Sequence, residues 1–263
     1  MNLGLQGKIA LVAAASKGLG RAVADELAAE GASLVICARG DDALQQTRAA
    51  LEAAHGVPVL AVAADLSTLA GVAQVTSAAF ERFGRVDILV TNTGGPPAGT
   101  FAQHSPDAWQ AATNLLLTSI VELTRAVLPG MQERGWGRIL NITSIAVKQP
   151  VAGLMLSNSL RAAVTGMART LATEVAPFGI TVNNILPGYT RTDRVEHLAQ
   201  ATAAREGISP DEATARWTRE IPMQRLGEPA EFAALAAFLC SARASYITGT
   251  SIPVDGGWIK ALL

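Results

Sequence analysis

Short apolar runs alternate with longer segments in which apolar and polar residues recur at helical spacing. The apolar runs predict buried strands at residues 8–13, 33–38, 59–63, 88–91, 139–142, 181–186 and 251–254. The segments between them predict helices at 18–30, 41–54, 69–83, 106–134, 152–176 and 228–240. Repeated strand–helix units with uniformly apolar strands are typical of parallel sheets covered on both faces, so the pattern predicts an α/β fold. The 263 residues fit one such domain.

One long segment, residues 189–224, breaks this alternation. It carries many charged residues and predicts two short helices. Long excursions in compact domains are usually lids or binding loops, although a solvated surface insertion has a similar composition. The segment follows the carboxyl end of a predicted strand, which is where open α/β sheets bind ligands, so we favour a substrate lid.

Composition and charge narrow the class of protein. Lys and Arg number 21 against 22 Asp and Glu, for a net charge of −1, so neither a nucleic acid nor a polycation is an expected partner. Cys37 and Cys240 lie in apolar runs without metal-ligand spacing, which predicts buried free thiols and no metal site. The N-terminus lacks a signal-peptide pattern, and no apolar run reaches the ~20 residues of a membrane span. We therefore expect a cytoplasmic protein that does not act at a membrane.

Residues 137–165 carry the first candidate site. The apolar run 139–142 ends in hydroxyl residues, which predicts a buried strand whose carboxyl end opens into a site, with Ser144 at that end. In the helix that follows, Ser157 and Arg161 are four positions apart and therefore share one helix face.

A second candidate site follows the first predicted strand, where residues 13–20 read Ala-Ala-Ala-Ser-Lys-Gly-Leu-Gly. A bound phosphate needs free backbone N–H groups, the positive end of a helix and small side chains, and this turn offers all three. A tight strand–helix turn without a ligand would look the same. Because a β-carbon disfavours positive φ, Ala14 leads us to expect a slightly altered turn.

Taken together, these segments resemble the short-chain dehydrogenase/reductase family, in particular its 3-oxoacyl-carrier-protein reductase-like members. Further similar segments follow in order at residues 92–95, 187–192, 221–229 and 246–257, so the resemblance runs from about Gly7 to Trp258. It implies a single-domain Rossmann-type fold with a doubly wound parallel sheet. It also implies an NAD(P)-dependent oxidoreductase that acts on a carbonyl or alcohol of a small molecule.

The chain departs from the family at the residues that move protons. The family pattern has a Ser, an Asn on the preceding long helix, and a Tyr thirteen positions after the Ser with a Lys four beyond it. Ser144 and Asn114 match the first two, but Ser157 replaces the Tyr and Arg161 the Lys. Tyr starts near pKa ~10, an alkyl alcohol is a far weaker acid, and an Arg keeps its proton. We expect Arg161 to bind ribose hydroxyls or a substrate carboxylate instead.

The resemblance also implies a set of cofactor contacts near the carboxyl ends of the strands. In this sequence they are Ala14, Ser16, Lys17, Gly18, Leu19, Gly20, Arg39, Asp65, Leu66, Asn92, Thr93, Gly94, Arg161, Pro187, Gly188, Thr190 and Thr192. An acidic residue after the second strand would favour NAD, but Arg39 stands there and Lys17 lies in the phosphate turn. Two cations favour the 2′-phosphate of NADP(H) over NAD(H), unless Arg39 is only a solvated strand end.

Three functions remain open from the sequence. The first is an NADP(H)-dependent oxidoreductase whose proton comes from Tyr189, a bound water or a group of the substrate. The second is a cofactor-binding protein without redox turnover, acting as a sensor or as a partner subunit. The third is a lyase or isomerase on the same fold. The cofactor turn favours the first two, and Ser144 with Asn114 favours the first over the second.

Two further expectations concern the substrate pocket and the assembly. The helices at 106–134 and 152–176 carry more apolar surface than one sheet face should cover, and family members pair these helices across a two-fold axis. We therefore expect a symmetric homo-oligomer, a tetramer. The pocket candidates, which leave the substrate open, are Pro96, Gln149, Leu154, Met155 and Tyr189.

Overall fold

A computed structural model describes residues 2–262 and contains a seven-stranded parallel sheet. Its strands are β1 (Ile9–Ala13), β2 (Ser33–Ala38), β3 (Val59–Ala63), β4 (Ile88–Thr91), β5 (Gly137–Ile142), β6 (Ile180–Pro187) and β7 (Ser251–Val254). The strand order is β3-β2-β1-β4-β5-β6-β7, so the order in which successive strands are added to the sheet reverses between β1 and β4. This is the doubly wound arrangement, and it confirms the predicted fold class. A crevice opens at the carboxyl ends of the strands beside such a reversal.

The helices follow the predicted pattern with two differences. They are α1 (Gly18–Ala29), α2 (Asp41–His55), α3 (Leu69–Phe83), α4 (Pro106–Thr113), α5 (Ser119–Arg134), α6 (Met155–Val175), α7 (Asp193–Glu206), α8 (Pro210–Glu220) and α9 (Pro229–Cys240). The helix predicted at 106–134 is α4 and α5 joined by a π-helical turn, Asn114–Thr118. The helix predicted from residue 152 begins at Met155, because Gly153 has a left-handed backbone, with φ +74°. The segment 189–224 contains α7 and α8, as expected.

Both faces of the sheet are buried, which explains why the strands are apolar without alternation. Leu34 and Ile36 of β2 pack in a core with α1 and α9, whereas Val35 and Cys37 pack in a second core with α3, α5 and α6. The sheet is therefore a rigid platform, and its carboxyl edge presents the loops between strands and helices.

A buried row of polar side chains crosses four strands near that edge. Thr91 Oγ1 donates to Asn141 Oδ1 over 2.7 Å, and Asn141 Nδ2 donates to Asn184 Oδ1 over 3.1 Å. Asn184 Nδ2 then donates to Ser251 Oγ over 3.1 Å. These residues are neighbours in the strand register, and each bond satisfies polar groups that burial would otherwise leave without water. The row links β4, β5, β6 and β7.

The helical run Pro106–Arg134 is long and apolar enough to cross a membrane by length and composition alone, with a mean hydropathy of 1.3. The sequence does not reveal it as one uninterrupted apolar run, because Glu122 and Arg125 fall within it. In the structure one side of this run is buried, and its residues Leu123 and Val127 pack in the core beside the sheet. Only 39% of its apolar window is buried, however, so much of its surface has no cover within the described chain.

Candidate active site

A cavity of about 860 Å³ opens at the carboxyl edge of the sheet, beside the reversal between β1 and β4. Its volume lies in the range of sites that enclose small molecules. It brings together all the predicted cofactor and catalytic residues except Gly20 and Asn114. Of the predicted pocket candidates, Pro96, Leu154 and Tyr189 line it, whereas Gln149 and Met155 do not. One cavity therefore joins the candidate cofactor turn to the candidate chemistry.

The turn between β1 and α1 closes tightly on itself. Ala14 has φ +50°, the left-handed conformation that glycine adopts freely and a β-carbon disfavours, so alanine holds a strained backbone in this turn. A β-carbon on Gly20 would lie 2.3 Å from the carbonyl oxygen of Ala14. Gly20 does not line the cavity but lies behind its wall. The absence of a β-carbon there lets the first turn of α1 pack closely against the end of β1.

We expect Ala14→Gly to raise the free energy of unfolding by ~0.5–1 kcal/mol. Removing the β-carbon relieves the strain of the left-handed backbone, which costs an alanine ~1–2 kcal/mol. Glycine also gives the unfolded chain more conformational freedom, which offsets part of this gain. Urea unfolding measures the change. The matched control is Ala15→Gly, because Ala15 is buried and has an ordinary backbone, so its variant should lose stability. Equal destabilisation by both variants would contradict the strain assigned to Ala14.

At one end of the cavity, Arg39 and Asp65 lie near each other at the rim. The Asp65 carboxylate accepts a hydrogen bond from the backbone N–H of Ser67 over 3.0 Å. The backbone and side-chain hydrogen bonds from Ser67 lower the pKa of Asp65, and the charge of Arg39 lowers it further. Thr68 caps α3, so the Asp65 carboxylate is not needed as the cap of that helix. The Arg39 side chain is exposed and borders the cavity.

Lys17, which we expected to favour a 2′-phosphate together with Arg39, is paired with a carboxylate. Its Nζ lies 2.6 Å from the Oδ2 of Asp193, at the start of α7, and both side chains are exposed. The hydrogen bond from Lys17 and its charge lower the pKa of Asp193. The ion pair therefore joins the turn between β1 and α1 to the first turn of α7, across the mouth of the cavity.

At the other end of the cavity lie the hydroxyls of Ser144 and Ser157 and the guanidinium group of Arg161. Ser157 is only 7% exposed, borders the cavity, and makes no hydrogen bond through its hydroxyl within residues 2–262. Ser144 Oγ accepts from the N–H of Ala146 over 3.1 Å and keeps its own proton to donate. Arg161 Nη1 donates to the carbonyl oxygen of Ile142, at the end of β5, over 2.9 Å.

Arg161 remains a cation in this environment. Burial, followed by the charge of Arg194, lowers its pKa to about 10. This value is still well above neutral pH, so the guanidinium holds its proton and acts by charge and hydrogen bonding.

Asn114, the fourth predicted catalytic residue, does not line the cavity. It begins the π-helical turn, and its side-chain oxygen accepts from Gln110 Nε2 over 2.9 Å. Its neighbours Ala112 and Leu115 line the cavity, but Asn114 does not. π-Helical turns often lie at functional sites because the extra residue redirects side chains. Here the turn leaves the amide outside the cavity wall.

Tyr189 is a poor substitute for the missing acid. Its ring stacks on Trp217, with centroids 4.7 Å apart, and meets the edge of Trp258 at 6.0 Å. Burial, followed by the charge of Glu220, raises its pKa to about 12. A phenol that holds its proton more tightly than usual is a weaker acid, so packing explains this tyrosine better than proton donation.

The structure adds cavity residues that sequence reasoning missed. Arg194 lies on α7 and donates from Nη2 to the carbonyl oxygen of Pro96 over 3.3 Å. A β-carbon on Gly95 would lie 2.4 Å from its guanidinium carbon, so Gly95 makes room for it. The signal was a basic residue two positions after Thr192, but only the fold shows that it reaches the cavity. The hydroxyl of Thr143, which the sequence analysis also missed, and that of the predicted Thr93 are buried in the cavity wall and lack partners among the described residues.

Comparison with known proteins identifies the family. A family model described as enoyl-(acyl carrier protein) reductase matches residues 13–259. The chain belongs to the short-chain dehydrogenase/reductase family. The 3-oxoacyl-acyl-carrier-protein reductase FabG of Vibrio cholerae is 34% identical to it, over 97% of this chain and 98% of the relative. The NADPH-dependent reductase BacG of Bacillus subtilis is 33% identical, over 97% and 99%.

A solved structure of this family shows the same architecture over the full length. The L-sorbose reductase of Gluconobacter frateurii, determined with NADPH and L-sorbose, superposes with a TM-score of 0.94. It is 36% identical, and the match covers 100% of both chains. The expected short-chain oxidoreductase family is therefore confirmed, and the chain contains no large insertion relative to this neighbour.

Proposed function

We propose that this short-chain oxidoreductase interconverts a carbonyl and an alcohol with NADP(H) and without a tyrosine acid. The observation that carries the proposal is the single cavity that joins the phosphate turn after β1 to Ser144, Ser157 and Arg161. Arg39 would hold the adenosine end of a cofactor bound along this cavity, and the hydroxyls of Ser144 and Ser157 would lie at its reactive end.

The residues present fit a dinucleotide phosphate. Gly18 and Leu19 begin α1, whose free N–H groups and positive end suit a diphosphate, and a β-carbon at Gly20 would collide with the turn that forms this cradle. Arg39 at the rim offers a charged fork for a 2′-phosphate. The names of two relatives, the reductase of Bacillus subtilis and the L-sorbose reductase, support the same cofactor. Bound NADPH supplies the hydride that reduces a carbonyl carbon.

The chain's own residues can bind the substrate carbonyl, but they do not include a good acid to protonate it. Ser144 and Ser157 have hydroxyls that can donate to the carbonyl oxygen, and Arg161 places a fixed positive charge beside them. None of the three is a good acid at neutral pH. We therefore assign the proton to a water molecule or to a group of the substrate, and we set Tyr189 aside because its pKa is raised.

The test uses NADPH deuterated at C4 and a panel of aldehydes, ketones, 3-oxoacyl thioesters and oxo acids. We expect deuterium on the carbinol carbon of at least one product, detected by mass spectrometry even when turnover is slow. Products formed without NADPH consumption would favour a lyase or isomerase. Tight NADPH binding with no labelled product from any substrate would favour a non-redox sensor or partner subunit.

We expect the protein to bind NADPH more tightly than NADH, and Arg39→Ala to remove most of the difference. A charge-assisted bond contributes ~1.5–3 kcal/mol, so the Kd for NADPH should rise by about one to two orders of magnitude. The Kd for NADH should change little. Titration calorimetry measures both. Arg21→Ala is the matched control, because Arg21 is exposed on α1 and does not line the cavity. Equal or tighter NADH binding by the wild type would contradict the preference.

The proposal includes a homotetramer. Less than half of the apolar window of Pro106–Arg134 is buried in the single chain, which supports pairing of this helical run across a two-fold axis. We expect light scattering at micromolar concentration to give about four times the chain mass of 27.2 kDa. A particle of 27.2 kDa would contradict it.

A lid and a cytoplasmic location complete the proposal. The segment 189–224 contributes Thr192, Arg194 and Leu198 to the cavity wall, which supports a substrate lid on a single domain of residues 1–263. Cys37 and Cys240 are buried free thiols, and burial raises the pKa of each to about 12, so both stay protonated and unreactive. Free thiols of this kind suit the reducing cytoplasm.

A further inference from the structure

Two arginines from different elements border the same cavity without a carboxylate to neutralise them. Arg161 comes from α6 and Arg194 from α7. Neither makes an ion pair within 4.0 Å in the part of the chain that the structure describes. They are close enough for the charge of Arg194 to lower the pKa of Arg161. Each instead donates one hydrogen bond to a backbone carbonyl, Arg161 to Ile142 and Arg194 to Pro96.

This arrangement leaves several N–H donors of both guanidinium groups without an acceptor, and their positive charges without a counter-ion. A guanidinium has five N–H donors, and one bond to a carbonyl occupies only part of its fork. Two like charges that share a partly desolvated space repel each other, and an anion between them would offset that repulsion. The structure therefore has the components of an oxyanion site next to the hydroxyls of Ser144 and Ser157.

The two acidic residues that line the cavity lie beside other basic residues and not beside Arg161 or Arg194. Asp193 is paired with Lys17, and Asp65 lies with Arg39 at the adenosine end. The diphosphate of the cofactor has its own cradle at the start of α1. The anion that suits Arg161 and Arg194 is therefore a part of the substrate.

We propose that the substrate carries a carboxylate, which Arg161 and Arg194 bind together, an inference that rests on the proposed reductase function. Arg161 lies one helical turn from Ser157, and Cβ atoms at this spacing are ~5–6 Å apart. A small molecule can therefore reach the hydroxyl and the guanidinium groups at once, which describes a short-chain oxo acid. Leu115, Val151 and Leu154 line the cavity and offer apolar contacts to the remaining carbon chain.

The test compares 3-oxobutanoate with its neutral ethyl ester, which has the same carbonyl and no charge. Each is titrated calorimetrically into the NADP⁺-saturated protein, where no reduction can occur. We expect the wild type to bind the carboxylate at least ~10-fold more tightly than the ester. Arg194→Ala should abolish this preference and leave the Kd for NADPH unchanged. Arg191→Ala is the matched control, because Arg191 is exposed, paired with Glu228 and outside the cavity wall, and it should retain the preference.

Each result has a defined meaning. Equal binding of acid and ester by the wild type overturns the inference. A preference that survives in Arg194→Ala, together with weaker NADPH binding, also overturns it and assigns this guanidinium to the cofactor diphosphate. NADPH binding by every variant shows that the variant is folded. The titration needs no turnover, so a carboxylate preference without reduction would refute the proposed function alone, and reduction of the ester without a preference would refute this inference alone.

Discussion

Ser157→Tyr combined with Arg161→Lys is expected to raise the rate of NADPH oxidation with neutral ketones by ~10²–10⁴-fold, the usual contribution of a positioned general acid. The wild-type pair offers an alkyl alcohol and a guanidinium that keeps its proton. A phenol next to an ammonium group is a far better acid, because the cation lowers its pKa toward the working range. Each single change should do less, since Tyr depends on the Lys and Lys has no phenol to activate. Steady-state rates at saturating NADPH measure the gain.

The control for this gain is Ser157→Phe combined with Arg161→Lys. It introduces a ring of the same shape without a hydroxyl, so it separates proton donation from a change in packing. Ser157 borders the cavity, which gives a ring at this position space to occupy. An equal gain in the Phe variant would contradict the acid role. So would no gain in a Tyr variant that still binds NADPH.

Gly20→Ala is expected to weaken NADPH binding by ~100-fold or more, or to unfold the protein. The added β-carbon would lie 2.3 Å from the carbonyl oxygen of Ala14 and 3.0 Å from that of Ala13. Backbone atoms cannot rotate away as a flexible side chain can, so the turn and the start of α1 must separate. That movement would misplace the N–H groups that suit the diphosphate, and the lost contacts are charge-assisted bonds of ~1.5–3 kcal/mol each.

Fluorescence titration with NADPH and urea unfolding together test this expectation. Gly166→Ala is the matched control, because Gly166 lies within α6 and a β-carbon there meets nothing within 4 Å. Its variant should keep NADPH affinity and gain ~0.5–1 kcal/mol of stability from the better helix former. Retention of wild-type affinity by the Gly20 variant would show that the cradle is not needed.

The sequence predicts the sheet, and it locates residues of the cavity wall that follow the strands, for a physical reason. Strands buried on both faces must be apolar throughout, so runs such as 33–38 are distinct from the helices around them. Ligand-binding residues in a parallel sheet follow the strand ends, so Arg39 and Asp65 could be located once the strands were known. Both line the cavity as expected.

What the sequence does not reveal depends on how separate elements meet. Arg194 is a surface arginine by its local pattern, and only the packing of α7 over Gly95 brings it to the cavity. The ion pair between Lys17 and Asp193 joins residues that are 176 positions apart. Asn114 matches a family position, but it begins a π-helical turn that no local pattern predicted, and it does not line the cavity. All three differences lie in or next to the cavity, where the relative positions of separate helices and loops determine which side chains meet.

The most direct test of the central claim, an intact NADPH site that lacks the tyrosine acid, is the wild-type turnover of NADPH with neutral carbonyl compounds. Small aldehydes and 3-oxoacyl thioesters are supplied at saturating cofactor, and the Kd for NADPH is measured on the same preparation. We expect tight NADPH binding and a kcat well below ~1 s⁻¹, because Ser157 and Arg161 supply no acid of suitable pKa. A kcat in the range of ordinary enzymes, ~1–10³ s⁻¹, would show that the cavity already holds a competent proton donor and would contradict the claim.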